Sequence, residues 1–243
     1  MIHSPTAWLR GAGGTPFGRH EGRGPIDLMA DAARQALASS ALARGDIDGM
    51  LCGYATTLPH LMLSTLLCER LGLSPRYAHG MQLGGATGAA MLMAARELVR
   101  AGRCRNVLVV AGENRLTGQS RDSSIQTLAQ VGAADYEVPN GASVPAYYAL
   151  MASEYMHRTG ITRADLAEFA VLMRANAARH PEAHLRTPIT QAEVLASKPI
   201  SAPLSLLDCC PISDGAMALV VSAEPGPHAP VRMAGAGQAH RHQ

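Results

Sequence analysis

The sequence predicts an α/β fold: a mainly parallel sheet with helices on both faces, plus a helical loop domain. Three observations predict it. Strand-like and helix-like segments alternate over residues 7–111, an order that gives parallel neighbours with crossover helices. Residues 106–111, NVLVVA, form a continuous apolar run, as expected of a strand covered on both faces. From Arg115 to about Pro199 the pattern turns helical, and strand character returns only at residues 216–222, AMALVVS.

Element by element, residues 7–11 form a short strand. Residues 26–42 follow a helical pattern, with Leu28, Met29, Ala32, Ala36 and Leu37 on one stripe. Residues 49–54 are a second strand, and residues 61–71 a helix stopped by Gly72. Residues 76–82 are a third strand. A helix from about Ala86 ends at Gly102. Residues 112–144 are polar with no clear period, and long irregular loops are often functional. Residues 145–159 return to helix, with Gly160 as the stop. Thr162 and Asp165 make a T-x-x-D start for a helix that runs to about Arg179, before Pro181. Thr190 and Glu193 form a capping box for another short helix. Residues 224–230, EPGPHAP, are linker-like. Residues 231–237, VRMAGAG, then resemble residues 8–14, WLRGAGG, so a second sheet is expected to begin there. The expected division is a sheet domain over 1–114, a helical loop domain over 115–199, a return to the sheet over 200–223, and a linker with the first strand of an absent C-terminal half over 224–243.

The bulk numbers exclude several classes. At 243 residues, 47% hydrophobic and 16% charged, the chain can bury a sizeable core. A net charge of +2 argues for neither nucleic acid nor a membrane surface. No apolar run reaches the length of a membrane span, and the N-terminus, MIHSPTAWLR, lacks the apolar stretch of a signal peptide. Cys52, Cys68, Cys104, Cys209 and Cys210 have no C-x-x-C spacing and make an odd total. They suit a reducing, cytoplasmic setting with thiols buried as small apolar side chains.

The segment richest in chemistry is residues 81–102, MQLGGATGAAMLMAARELVRAG. It reads as a strand end, a glycine-rich turn and a long helix. A helix N-terminus carries N–H groups without intrahelical partners and a partial positive charge, which suit an anion or a polarised carbonyl. Gly84, Gly85, Ala86, Thr87 and Gly88 are therefore the candidate substrate-binding residues. Competing motifs fail on their residues. Gly11 and Gly13 begin a dinucleotide fingerprint, but Pro16 occupies its third glycine position. No Lys-Ser or Lys-Thr follows Gly88, so the turn is not a P-loop. No H-E-x-x-H, C-x-x-C or G-x-S-x-G is present, so no metal site and no serine elbow is readable.

The same segment resembles the nucleophile segment of the thiolase superfamily, most closely its lipid-transfer and sterol-carrier-protein-type branch. Other stretches resemble that branch in the same order: GAGGTPFGR at 11–19, residues 147–183, and LLDCCPISDGAMALVVSA at 206–223. The resemblance implies the N-terminal half of a thiolase fold and a coenzyme A thioester as substrate, with no cofactor. In that family a cysteine at the turn takes the acyl group. Here the position is Gly85, so the nucleophile is absent. The family's histidine and second cysteine belong to the second half of a complete thiolase, which this chain lacks.

The expected function is thus a thiolase-like acyl-CoA-binding protein, nominally an acetyl-CoA acetyltransferase-like acyltransferase, unable to perform thiolysis alone. Two alternatives stand beside it: a retro-aldol lyase on a steroid-type acyl-CoA with a partner chain, and a non-catalytic or split-subunit homologue. The resemblance also implies a homodimer, and either an OB-fold, zinc-ribbon partner protein or a separate C-terminal half. Thr87 reads as a local hydrogen-bonding hydroxyl, since it has no base beside it. His79 could face the turn. Tyr147 and Tyr148 read as packing residues, and Asp214 as a carboxylate satisfying N–H groups in its own turn.

Overall fold

The computed structural model describes residues 6–141, 143–228 and 230–240. The readings that touch residues 1–5 and 241–243, at the two chain ends, lie outside the described residues. The chain divides into two units. One comprises Met1–Thr15, Arg19–Gly118 and Asp214–Gln243; the other comprises Pro16–Gly18 and Gln119–Ser213.

The first unit is built on β1 (Trp8–Gly14), α1 (Pro25–Ser40), β2 (Gly49–Gly53), α2 (Leu63–Leu71), β3 (Tyr77–Met81), α3 (Thr87–Arg100), β4 (Asn106–Glu113) and α4 (Arg115–Gly118). Its six-stranded sheet has the order β3-β2-β4-β7-β1-β8, with β7 (Gly215–Ser222) and β8 (Val231–Arg232) contributed by the chain after the second unit. β2 runs parallel to β3 and β4, whereas β7 (Gly215–Ser222) is antiparallel to both β4 and β1. The sheet is therefore mixed, a correction to the mainly parallel sheet expected. β1 to β4 do share one direction. The chain leaves β4 at Glu113 and returns at Gly215, its register partner, and a strand that re-enters where the last one left must run the opposite way. Residues 231–237, expected to open a second sheet, contribute β8 (Val231–Arg232) to this sheet's edge beside β1.

Helices cover both faces. The period of two sends Leu108, Val110, Ala218 and Val220 toward α1 and α2, and Val107, Val109 and Val221 toward α3. The glycines of β1 have a packing reason. A Cβ on Gly13 would stand 2.4 Å from the Ala36 nitrogen, and one on Gly11 2.6 Å from the Ala36 oxygen. They let α1 lie directly on the strand, with Ala32 and Ala36 fully buried between them. α2 stops at Gly72, whose φ of 65° is left-handed and whose N–H reaches the Cys68 and Glu69 carbonyls.

The second unit contains α5 (Arg121–Ala129), α6 (Val144–Thr159), α7 (Arg163–Arg179), α8 (Gln191–Ala196) and a small hairpin of β5 (Pro199–Ser201) and β6 (Leu204–Ser205). Both capping boxes form as the sequence predicts. The Thr162 hydroxyl accepts from the Asp165 N–H while the Asp165 carboxylate accepts from the Thr162 N–H, and Thr190 and Glu193 repeat the pattern. The stretch 112–144, expected to be irregular, holds α4, α5 and a 3₁₀ turn at Val138–Asn140. Only Ser124 of α5 is buried. Its apolar Ile125 is exposed, so no apolar stripe marks a buried face to read.

Candidate functional site

The turn between β3 and α3 lies beyond the carboxyl end of β3, beside parallel β2, where open α/β sheets place their ligands. α3 is anchored by Met91, Ala95 and Val99, which pack with Leu51, Val107, Val109 and Val221. Its first turn is thereby held at one end of the sheet. Gly84 has φ of 53°, a left-handed conformation that glycine adopts without penalty.

One hydroxyl fixes the turn. Thr87 is buried, and its Oγ1 accepts from the Leu83 N–H and donates to the Gly84 carbonyl, both at 2.8 Å. The Ala86 N–H reaches the Leu83 carbonyl at 3.1 Å. Thr87 is thus committed to the turn and is not poised as a nucleophile. No side chain caps α3; the Ala86 and Thr87 N–H groups already reach the Leu83 and Gly84 carbonyls, so the later N–H groups of the first turn are the ones left for something else. Gly84, Gly85, Ala86 and Gly88 are exposed. A Cβ built on Gly85 meets nothing within 4 Å, and its φ is outside the left-handed region. Nothing in the backbone requires a glycine at position 85.

A second polar group braces the neighbourhood, and the sequence did not reveal it. The Glu113 carboxylate, at the end of β4, accepts from the Thr56 N–H and hydroxyl at 2.6 Å and also from the Thr57 hydroxyl. Arg115 donates to the Thr56 hydroxyl at 3.0 Å. This holds the segment after β2, where the Tyr54 N–H bonds the Met81 carbonyl at the start of the turn. The available signal was a carboxylate closing an apolar strand, in NVLVVAGE.

The other candidates separate from the turn. His79 is exposed on the outer strand and stacks on Tyr77, with ring centroids 4.5 Å apart. Asp214 is fully buried, but it serves remote segments and not its own turn. It accepts from the His20 N–H at 3.1 Å, the Leu116 N–H at 2.7 Å and the Thr117 hydroxyl at 2.7 Å. Desolvation, and then the nearby Glu137, push the pKa of the buried Tyr147 hydroxyl up, whereas Tyr148 is exposed. Cys52, Cys68 and Cys104 are buried, and burial pushes the Cys52 thiol up to about 12. Cys209 and Cys210 depart from the burial expected of them: the first is half-buried and the second exposed. They lie in an extended segment outside the sheet, between a 3₁₀ turn at Leu206–Asp208 and β7. No group of histidine, cysteine and acidic residues among the described residues could hold a metal ion.

A family model for the thiolase N-terminal domain matches residues 9–225. This chain belongs to the thiolase superfamily. Among curated thiolase relatives, the chain is 34% identical to a steroid side-chain-cleaving aldolase of Thermomonospora curvata, over 96% of this chain and 61% of that protein. It is 31% identical to an acetyl-CoA acetyltransferase of Methanocaldococcus jannaschii, over 87% of this chain and 54% of that protein. Among solved structures, the Ltp2-ChsH2(DUF35) aldolase superposes with a TM-score of 0.76 at 29% identity, covering 91% of this chain and 56% of that one. A monomeric SCP2-thiolase like protein from Mycobacterium smegmatis, at 20% identity and a TM-score of 0.69, shares the fold over 90% of this chain and 45% of that one. The chain spans little more than half the length of the curated relatives it matches. The thiolase resemblance read from the sequence is confirmed, and the α/β class with it.

Proposed function

We propose that this chain binds the thioester carbonyl of an acyl-CoA at the N-terminus of α3, through the backbone of Gly84 to Gly88. The binding is of the lipid-transfer thiolase kind, with no covalent acyl-enzyme at position 85. The observation that carries the reading is the turn itself: an uncapped helix N-terminus, an ordered left-handed Gly84, and open space at Gly85. Helix N–H groups polarise a bound carbonyl whether or not a thiol is present. The acyltransferase activity for which the methanogen relative is named needs a nucleophile that Gly85 does not supply, so thiolysis by this chain alone is not expected.

A second reading is favoured by the same vacancy. Carbon–carbon cleavage of the retro-aldol type needs an acid/base and an electron sink but no acyl-enzyme. The relative named as a steroid side-chain-cleaving aldolase supports it. On this reading a partner chain supplies the acid/base groups, either a small OB-fold protein or a second thiolase-type half. Tyr148, Met151 and Tyr155 of α6 are exposed at i, i+3 and i+7, an apolar face that suits a partner. The exposed Ala78, His79 and Gly80 of outer strand β3 support pairing with a second copy. No helix among the described residues is long and apolar enough to cross a membrane. The free thiols support a reducing compartment, and we place the protein in the cytoplasm.

The test is calorimetric titration with acetyl-CoA, whose acyl group is too short to fill an apolar cavity, followed by incubation with a 3-ketoacyl-CoA with and without free CoA. The expected result is saturable binding, lost in Gly84→Val, with no CoA-dependent thiolysis. Thiolysis by this chain alone, or binding indifferent to Gly84→Val, overturns the reading. Cleavage without free CoA that appears only when a partner is added selects the lyase.

A further inference from the structure

The second unit carries chemistry that the α3 turn does not use. A cavity of about 580 Å³ opens within it, with Phe17, Leu166, Phe169, Met173, Leu185 and Leu207 among its walls. Ser213 and His184 line the same cavity, and Ser213 Oγ lies 2.8 Å from His184 Nδ1. The two come from different parts of the unit. His184 follows the end of α7, and Ser213 closes the extended segment before β7. Both are half-buried.

A serine hydroxyl is a weak nucleophile unless a base within hydrogen-bond reach takes its proton. This spacing meets that condition when the ring proton sits on Nε2, which leaves Nδ1 to accept from the Ser213 hydroxyl. The neighbouring thiol does not compete. Burial, Asp208 and Cys210 push the Cys209 thiol above its ordinary value, so it stays protonated at neutral pH. Arg174 also lines the cavity. One of its N–H groups is held by the Thr187 carbonyl at 3.0 Å, and a guanidinium has further donors for a developing oxyanion.

We propose that Ser213 and His184 form a nucleophile–base pair that hydrolyses carboxylic esters or thioesters whose apolar acyl group occupies this cavity. Ser213 Oγ attacks the carbonyl carbon as its proton passes to His184 Nδ1. The bond from that carbon to the leaving oxygen or sulfur breaks, and the leaving atom takes the proton from the imidazole. Water then attacks the acyl-serine with His184 as base, the acid departs, and the Ser213 hydroxyl is restored. The sequence consumes only water. It is independent of the α3 turn and of acyl-CoA binding there.

The test treats the full chain with a long-alkyl fluorophosphonate and maps the adduct by peptide mass spectrometry. Hydrolysis of p-nitrophenyl octanoate is followed in parallel. The expected result is a single adduct on Ser213 and ester hydrolysis about 100-fold above Ser213→Ala and His184→Gln. His184→Gln keeps a side chain able to hydrogen-bond the hydroxyl but removes the base, so a merely structural contact would leave its labelling unchanged. No adduct, an adduct on another residue, or equal labelling of His184→Gln overturns the proposal. If Ser213→Ala fails to fold, the wild-type adduct map and His184→Gln decide. Release of free thiol from octanoyl-CoA, lost in His184→Gln, extends the assignment to thioesters.

Discussion

The Thr87 hydroxyl closes the α3 turn onto Leu83, accepting the Leu83 N–H at 2.8 Å while donating to Gly84. Removing a buried hydroxyl with two partners breaks both hydrogen bonds at once, and the Leu83 N–H and Gly84 carbonyl lose this partner. Thr87→Val is expected to cost about 2 kcal/mol in urea unfolding. Thr87→Ser, which keeps the oxygen, should retain most of that stability. Equal losses in the two variants would mean that the methyl, and not the hydroxyl, matters.

Two glycines give opposite expectations. Gly13→Ala puts a methyl 2.4 Å from a backbone nitrogen of α1, so the helix must shift, at about 1–3 kcal/mol. Gly85→Ala enters open space and should change stability by no more than about 0.5 kcal/mol. Thermal melts of the pair check both expectations, and a destabilised Gly85→Ala would contradict the openness of the turn.

Gly85→Cys should fold and present a thiol at the start of α3. A helix N-terminus favours the thiolate, so its apparent pKa should fall below the ~8.5 of a free cysteine. The pH dependence of carboxymethylation at this residue, resolved by peptide mapping, measures it. A value at or above that of a free thiol would deny the turn its electrostatic character.

Asp214 is buried and accepts hydrogen bonds from residues that precede it by more than ninety positions. Asp214→Ala leaves those N–H groups unsatisfied and is expected to cost about 3 kcal/mol. Denaturant titration reads the loss. A change under about 1 kcal/mol would show that water replaces the carboxylate.

The capping boxes predict an acid response. The N–H and hydroxyl of Thr162 hold the Asp165 carboxyl below the usual range, and those of Thr190 do the same for Glu193. A depressed folded pKa contributes stability above the unfolded value, near ~4, and loses it as pH falls through the lower folded value. Helix content followed by circular dichroism should therefore decline below about pH 4. Thr162→Val and Thr190→Val, which lack the hydroxyl that donates to the carboxylate, should lessen that decline.

The parts of the fold legible in the sequence were those written in local chemistry. Gly72 and Gly160 ended helices because each adopts a left-handed φ there. Thr162 and Thr190 began helices because their side chains bond the N–H three residues on. The turn at Gly84 to Gly88 was legible for the same reason. α5 was not, because its few apolar residues mark no buried stripe.

The sequence alone determined the α/β class, the thiolase kinship and the glycine at position 85, since these rest on residue identities in order. Only the tertiary structure decided the antiparallel entry of β7, the reach of Asp214 to His20 and Leu116, and the meeting of Ser213 with His184. Each depends on where distant segments of chain come together. A hydrogen bond made across dozens of residues leaves no local pattern, so folding is what specifies it.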